Sequence, residues 1–165
     1  MTWTDEDTWY DRIDTAGAVY GSLLAASVVV GQSPLQESVR PRDLALVLLA
    51  TGAVFWITHV YARSLAHAVD GRIGRTSLLH SARQESPILL AAVPPAAAAL
   101  VAAAFGQSHT SAAWWAFVTA LVGQVGWAVA ATRQAGASLR VTMIWVAVNL
   151  VLGVALVVLK VAVSH

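Results

Sequence analysis

The 165-residue chain has no cysteine, a single lysine and little charge of either sign, with charged residues making up 12% of it. Without thiols there are no disulfides, iron–sulfur clusters or thiolate zinc sites. A net charge of +1, with no basic face, excludes a nucleic-acid partner. What is abundant is apolar: 58% of the residues are hydrophobic and the mean hydropathy is +0.66. Soluble domains carry about 45–50% apolar and about 25% charged residues. A soluble domain of this length buries only about 70% of its surface, so the surplus would face water. A conventional soluble enzyme is therefore excluded, and an all-α, polytopic membrane helix bundle forming one domain is expected.

A membrane helix needs about 20 mostly apolar residues. Five stretches qualify, at about 15–31, 44–62, 87–105, 112–131 and 141–163. The links are short, leaving no room for a soluble domain. Pro41-Arg-Asp43 suits a helix start, and Ser86-Pro87 reads as an N-cap followed by proline in the first turn. Gly106-Gln-Ser-His-Thr-Ser111 is a tight polar link in which Ser111 could cap the fourth span. Between Arg75 and Glu85 an amphipathic piece is expected as a short helix along the membrane surface. The acidic start (Asp5, Glu6, Asp7, Asp11, Asp14) does not resemble a cleavable signal peptide, so the first span is expected to stay as an anchor, flanked by Trp3, Trp9 and Tyr10 as an aromatic belt. Arg12, Arg72, Arg75, Arg83, Arg133 and Arg140 fall on one side, against Arg40, Arg42 and Lys160 on the other. This balance favours a cytoplasmic N-terminus and an external C-terminus.

Polar residues inside a span are functional candidates by default. On the second span, Trp56, His59, Arg63, His67 and Asp70 fall within an arc of about 80°. This stripe reads either as a water-filled pathway, in which His59 could titrate near neutral pH, or as a packing face. In the second case Arg63 and His67 snorkel to the interface while His59 bonds a neighbouring helix. The fifth span has a sparser stripe of Thr142, Trp145, Asn149, Gly153 and Lys160, in which mid-span Asn149 needs a hydrogen-bond partner. Gly17-x-x-x-Gly21 on the first span permits close helix approach, with Tyr20, Ser27 and Gly31 along a neighbouring face. Pro94-Pro95 interrupts the third span, as a fixed kink, a hinge or a carbonyl-lined ion site. Gln124, with Gly123 and Gly126, marks a further packing contact.

No Asp or Glu falls within the five stretches, which weighs against proton-coupled pumps and divalent-cation carriers. His59 is the only mid-span histidine, where a bis-histidine haem would need two. No phosphate loop, zinc-protease motif or Ser-x-x-Lys arrangement occurs. No enzymatic role, cofactor or metal is expected.

Gly17-Ala-Val-Tyr-Gly21 and Phe55-Trp-Ile-Thr-His59, with a proline-containing third span about 35 residues later, resemble the lysosomal potassium channel family and its prokaryotic relatives. The resemblance covers the first two spans. The family's Phe-Ser-Asp signature is absent, the corresponding stretch reading Thr15-Ala16-Gly17, and the family's repeat has six helices where five spans are found here. It implies an oligomer whose pore is lined by first-span residues, here Leu23, Leu24, Ser27 and Val30, with His59 behind them. The same fragments are similar to small uncharacterised actinobacterial membrane proteins, a source that suits the arginine-over-lysine bias. The expectation is a homo-oligomeric channel or small transporter for a monovalent ion in a bacterial inner membrane, in contact with membrane lipid. Its alternative is a non-conducting structural or accessory membrane protein that binds a partner protein or lipid.

Overall fold

The computed structural model describes residues 15–32, 39–69 and 74–163. Trp3, Trp9, Tyr10, Arg12, Asp70 and Arg72 lie outside the described residues, as does the side chain of Lys160. The described chain is all helix: α1 (Thr15–Gln32), α2 (Pro41–Val69), α3 (Arg75–Gln84), α4 (Ser86–Leu90), α5 (Val93–Ala104), α6 (His109–Gln134) and α7 (Leu139–Val163). Because α3, α4 and α5 follow one another as a single run, Arg75–Ala104, there are five helical passes. Three are long and apolar enough to cross a membrane (Pro41–His67, Arg75–Ala104 and His109–Gln134), and Gly17–Gly31 and Leu139–Ala155 are shorter apolar helices. The chain is a multi-pass membrane helix bundle, and its outward apolar side chains contact lipid.

Local chemistry sets the ends of these helices. Pro41 opens α2 at a position whose missing N–H would have had no partner. Asp43 places a carboxylate in the first turn, where the helix dipole favours it. α5 and α6 both end in a Schellman turn. Gly106 (φ 74°) and Gly136 (φ 64°) take the left-handed conformation that glycine adopts without penalty. Gln107 N–H donates to the Ala102 carbonyl, and Ala137 N–H to that of Thr132. Each turn reads Gly-x-Ser and runs straight into the next helix. The cap of α6 is Ser108, not Ser111: Ser108 Oγ accepts from Ser111 N–H at 3.2 Å, and the helix starts at His109.

The third pass departs most from expectation. The amphipathic piece does not lie apart along the membrane; it is α3, continuous with the span and packed against α2. Glu85, between α3 and α4, keeps right-handed helical angles (φ −82°, ψ −6°). Ser86 is not an N-cap. Its hydroxyl donates to the Arg83 carbonyl at 2.7 Å, the acceptor that loses its i+4 partner because Pro87 has no N–H. The helix breaks at Ala91–Ala92, where the Ala92 N–H turns to Leu89 (3.1 Å) rather than one residue further back. Pro94 and Pro95 sit in the first turn of the segment that restarts at Val93, where proline is tolerated.

α1 lies at the centre, packed against α2, α4, α6 and α7. The core is built mostly of alanine: Ala25 and Ala26 of α1, Ala45 of α2, Ala96 and Ala99 of α5, and Ala116 and Ala120 of α6. Side chains this small let helix backbones come close, as membrane packing without a hydrophobic driving force requires. Two glycines take this furthest at the helix break. A β-carbon on Gly21 would stand 2.7 Å from the Ile88 carbonyl oxygen, and one on Gly52 would stand 3.0 Å from the Ala92 Cβ.

Candidate functional site

The polar stripe of α2 forms a seam with α3. Trp56 Nε1–H donates to the Ala82 carbonyl at 2.9 Å. About two turns further on, the Arg63 guanidinium donates to Gln84 Oε1 at 2.8 Å, and its Nε lies 2.6 Å from Glu85 Oε1. His67 Nδ1 stands 3.5 Å from Ser77 Oγ, at the long limit of a hydrogen bond. The seam forms because α2 and α3 lie side by side and the long Trp56 and Arg63 side chains reach across, Trp56 to Ala82 and Arg63 past it to Gln84 and Glu85.

The Arg63–Glu85 pair is asymmetric. The Glu85 side chain is 4% exposed and that of Arg63 38%. The carboxylate is the desolvated member, and the guanidinium reaches in from a half-open position. From Leu44 to Arg63, α2 rises about 28 Å at 1.5 Å per residue, close to the roughly 30 Å of a hydrocarbon layer. A pass that enters the hydrocarbon at Leu44 would leave it near this pair, where a charge retains access to polar surroundings. The expectation that no carboxylate enters a span holds for 87–105 but not for the continuous helix Arg75–Ala104, which contains Glu85. Ser64 Oγ and Ser81 Oγ, on the same two helices, are buried without a hydrogen-bond partner.

His59 is placed differently from its stripe neighbours. Nδ1 lies 2.9 Å from the carbonyl oxygen of Phe55, one turn back on its own helix. A carbonyl only accepts, so this contact is a hydrogen bond in the tautomer that carries its proton on Nδ1. Among the described residues the ring hydrogen-bonds no neighbouring helix; it packs at 5.5 Å from Tyr20, whose edge also meets Phe55 at 6.1 Å.

Asn149 belongs to a separate polar contact on the α6 side of α1. Its Oδ1 accepts from Gln124 Nε2 at 3.0 Å, and its Nδ2 donates to the Trp145 carbonyl at 2.9 Å. Both residues are buried, and Gln124 Oε1 has no partner. Gly123 faces Ser22 of α1, while Gly126 faces open space. Ser27 donates to its own Leu23 carbonyl at 2.8 Å. Leu24 lines a narrow apolar gap of about 10 Å³ between α1, α2 and the helix break, together with Gly21, Thr51, Gly52, Ile88 and Ala92. That space admits about one water at most.

The structure thus brings Trp56, Arg63 and His67 onto one seam and sets Tyr20 against His59. It keeps Asn149, Leu24, Ser27 and the proline pair apart from these. Glu85 and Gln84 are the residues that sequence reasoning missed. The signal that could have found them is the i, i+4, i+7 spacing of Ser77, Ser81 and Gln84, one polar face that faces the α2 stripe if the two helices form a hairpin. Among the described residues no group of three or more His, Asp or Glu is placed to hold a metal.

Fold and seam together define a multi-pass integral membrane protein of five helical passes, with the second and third joined through side chains. Compared with protein-family models, curated proteins and solved structures, the chain matches none.

Proposed function

We propose that the protein is a closed, non-conducting membrane bundle, a structural or accessory component that binds a partner protein or lipid and performs no catalysis of its own. One observation carries this reading: Trp56, Arg63 and His67, the residues that would line a water path on α2, spend their hydrogen bonds on α3. The placement of α1 adds support. Its described side chains between Ala18 and Val30 are buried or half-buried except Tyr20, which leaves little free face for a pore shared between copies. In the orientation proposed, the end bearing Arg75, Arg83, Arg133 and Arg140 faces the cytoplasm of a bacterial cell.

The second reading is a homo-oligomeric channel for a monovalent ion, as the resemblance to the potassium channel family implies. The observation in its favour is the gap along α1 beside the proline break, lined by Leu24 and Thr51. Reconstitution into liposomes with imposed potassium, chloride and proton gradients separates the two. The accessory reading expects no flux above that of empty liposomes; selective flux of any of these ions overturns it.

A further inference from the structure

α3 carries its polar inner face against α2, but its outer face is chemically mixed. Arg75, Thr76, Leu78, Leu79, His80 and Arg83 are all exposed, Leu78 at 49% and Leu79 at 55%. At 100° per residue, Leu78, Arg75, Leu79 and Arg83 share an arc of about 140°. These leucines stand about 10 Å beyond Glu85 along the helix axis, on a helix that is otherwise mostly polar, with Arg75, Thr76, Ser77, His80, Arg83 and Gln84. A helix of this composition suits the polar membrane surface and not the acyl chains, so lipid tails are a poor cover for these two leucines.

The chain supplies a segment whose chemistry fits. Residues 1–14, Met-Thr-Trp-Thr-Asp-Glu-Asp-Thr-Trp-Tyr-Asp-Arg-Ile-Asp, hold five carboxylates against one arginine, interleaved with Trp3, Trp9, Tyr10 and Ile13. They lead into α1 at the same end of the bundle. Gly21 packs against Ile88, and α1 runs parallel to the third pass, so Thr15 enters level with the last turn of α3, near Ala82. Fourteen residues span up to about 46 Å when extended, far more than the distance required, and tethering at short range gives an effective concentration on the order of millimolar. Among the described residues, the only acid at this end of the bundle is Glu85, buried and paired with Arg63.

We infer that residues 1–14 dock onto the outer face of α3, setting their carboxylates against Arg75 and Arg83 and their aromatic and isoleucine side chains against Leu78 and Leu79. The segment acts as an intramolecular cap, held partly by charge, over a surface that is otherwise open to a partner. The inference is independent of whether the chain conducts ions, because its test reads a distance and not a flux.

The absence of native cysteine makes the test direct. Spin labels on Thr8→Cys and Thr76→Cys, neither residue being one of the proposed contacts, report the separation of segment and helix in the full chain, in nanodiscs of phosphatidylcholine. Expected is a short, narrow distance distribution at low salt. It should lengthen and broaden at about 1 M NaCl, where the screening length falls to about 3 Å. The Arg75→Glu/Arg83→Glu variant should lengthen it at low salt, and adding Asp5→Arg/Asp7→Arg should restore the short distance. A broad distribution indifferent to salt and to charge reversal overturns the inference. So does a Thr8 label relaxed by oxygen dissolved in the bilayer, which places the segment in lipid, or a short distance lost on dilution with unlabelled protein, which assigns the contact to a second copy. The salt series needs no charge-reversed variant, so it stands even if those variants fold poorly.

Discussion

Replacing Gly21 with alanine tests the packing at the helix break. The added carbon would meet the Ile88 carbonyl oxygen at 2.7 Å and the Ile88 Cα and Ala91 Cβ at 3.0 Å. A relaxed C···O contact between helices is about 3.3–3.6 Å, so α1 and α4 must part by more than half an ångström. Two of the obstacles are backbone atoms, which no rotamer change can move aside. Overpacking of this kind costs about 1–3 kcal/mol. Alanine recovers up to about 1 kcal/mol of that through its higher helix propensity, leaving a net loss of up to about 2 kcal/mol. Other glycines in the same protein serve as controls. Gly126 has nothing within 4 Å, so Gly126→Ala should be neutral or stabilising by up to about 1 kcal/mol. At Gly153 the obstacle is Leu121 Cδ2 at 2.9 Å, the end of a flexible side chain, so Gly153→Ala should fall between the two. Reversible unfolding in mixed micelles, followed by circular dichroism, gives the three free energies. If Gly21→Ala proves as stable as Gly126→Ala, the argument from close backbone approach is wrong.

Three further substitutions test the side-chain contacts. Arg63→Met leaves the Glu85 carboxylate buried without its cation and should cost about 1–3 kcal/mol, less than for a fully buried pair because Arg63 is half open; Glu85→Gln should cost less, and the double variant should recover part of the loss in the same unfolding assay. Asn149→Leu leaves the Gln124 amide only its longer contact, 3.4 Å, to the backbone carbonyl of residue 149 and should destabilise by about 0.5–2 kcal/mol, an effect that shrinks when Gln124→Leu is added. His59→Ala removes the ring packed on Tyr20 and should lower the unfolding midpoint while leaving liposome flux at the level of empty vesicles; a change in conductance at constant stability would favour the channel reading.

The five passes were legible because membrane helices must be long and apolar, and the polar link Gly106–Ser111 announced one of the reversals. The extent of the third pass was not. Ser86-Pro87 looks the same at a helix start as inside a helix, and the difference lies in whether the Ser86 hydroxyl covers the Arg83 carbonyl. The stripe on α2 was visible as an arc, since an arc depends only on spacing along one helix. What it faces depends on a second helix, and with α3 expected along the membrane surface, Glu85 had no route to Arg63. Asn149 was legible as a residue in need of a partner; Gln124 is that partner only because the tight turn at Gly136 brings α6 and α7 side by side.

The alanine interior has a thermodynamic side. Alanine surrenders no side-chain rotamer entropy on burial, where longer side chains give up as much as about 2 kcal/mol each. A core drawn from Ala25, Ala26, Ala45, Ala96, Ala99, Ala116 and Ala120 therefore has few rotamers to freeze when the helices meet. It has equally few to rearrange afterwards. Strain introduced anywhere along these contacts can relax only by moving whole helices, so a local change at the Gly21–Ile88 contact would be transmitted as a rigid displacement of α1 against its neighbours.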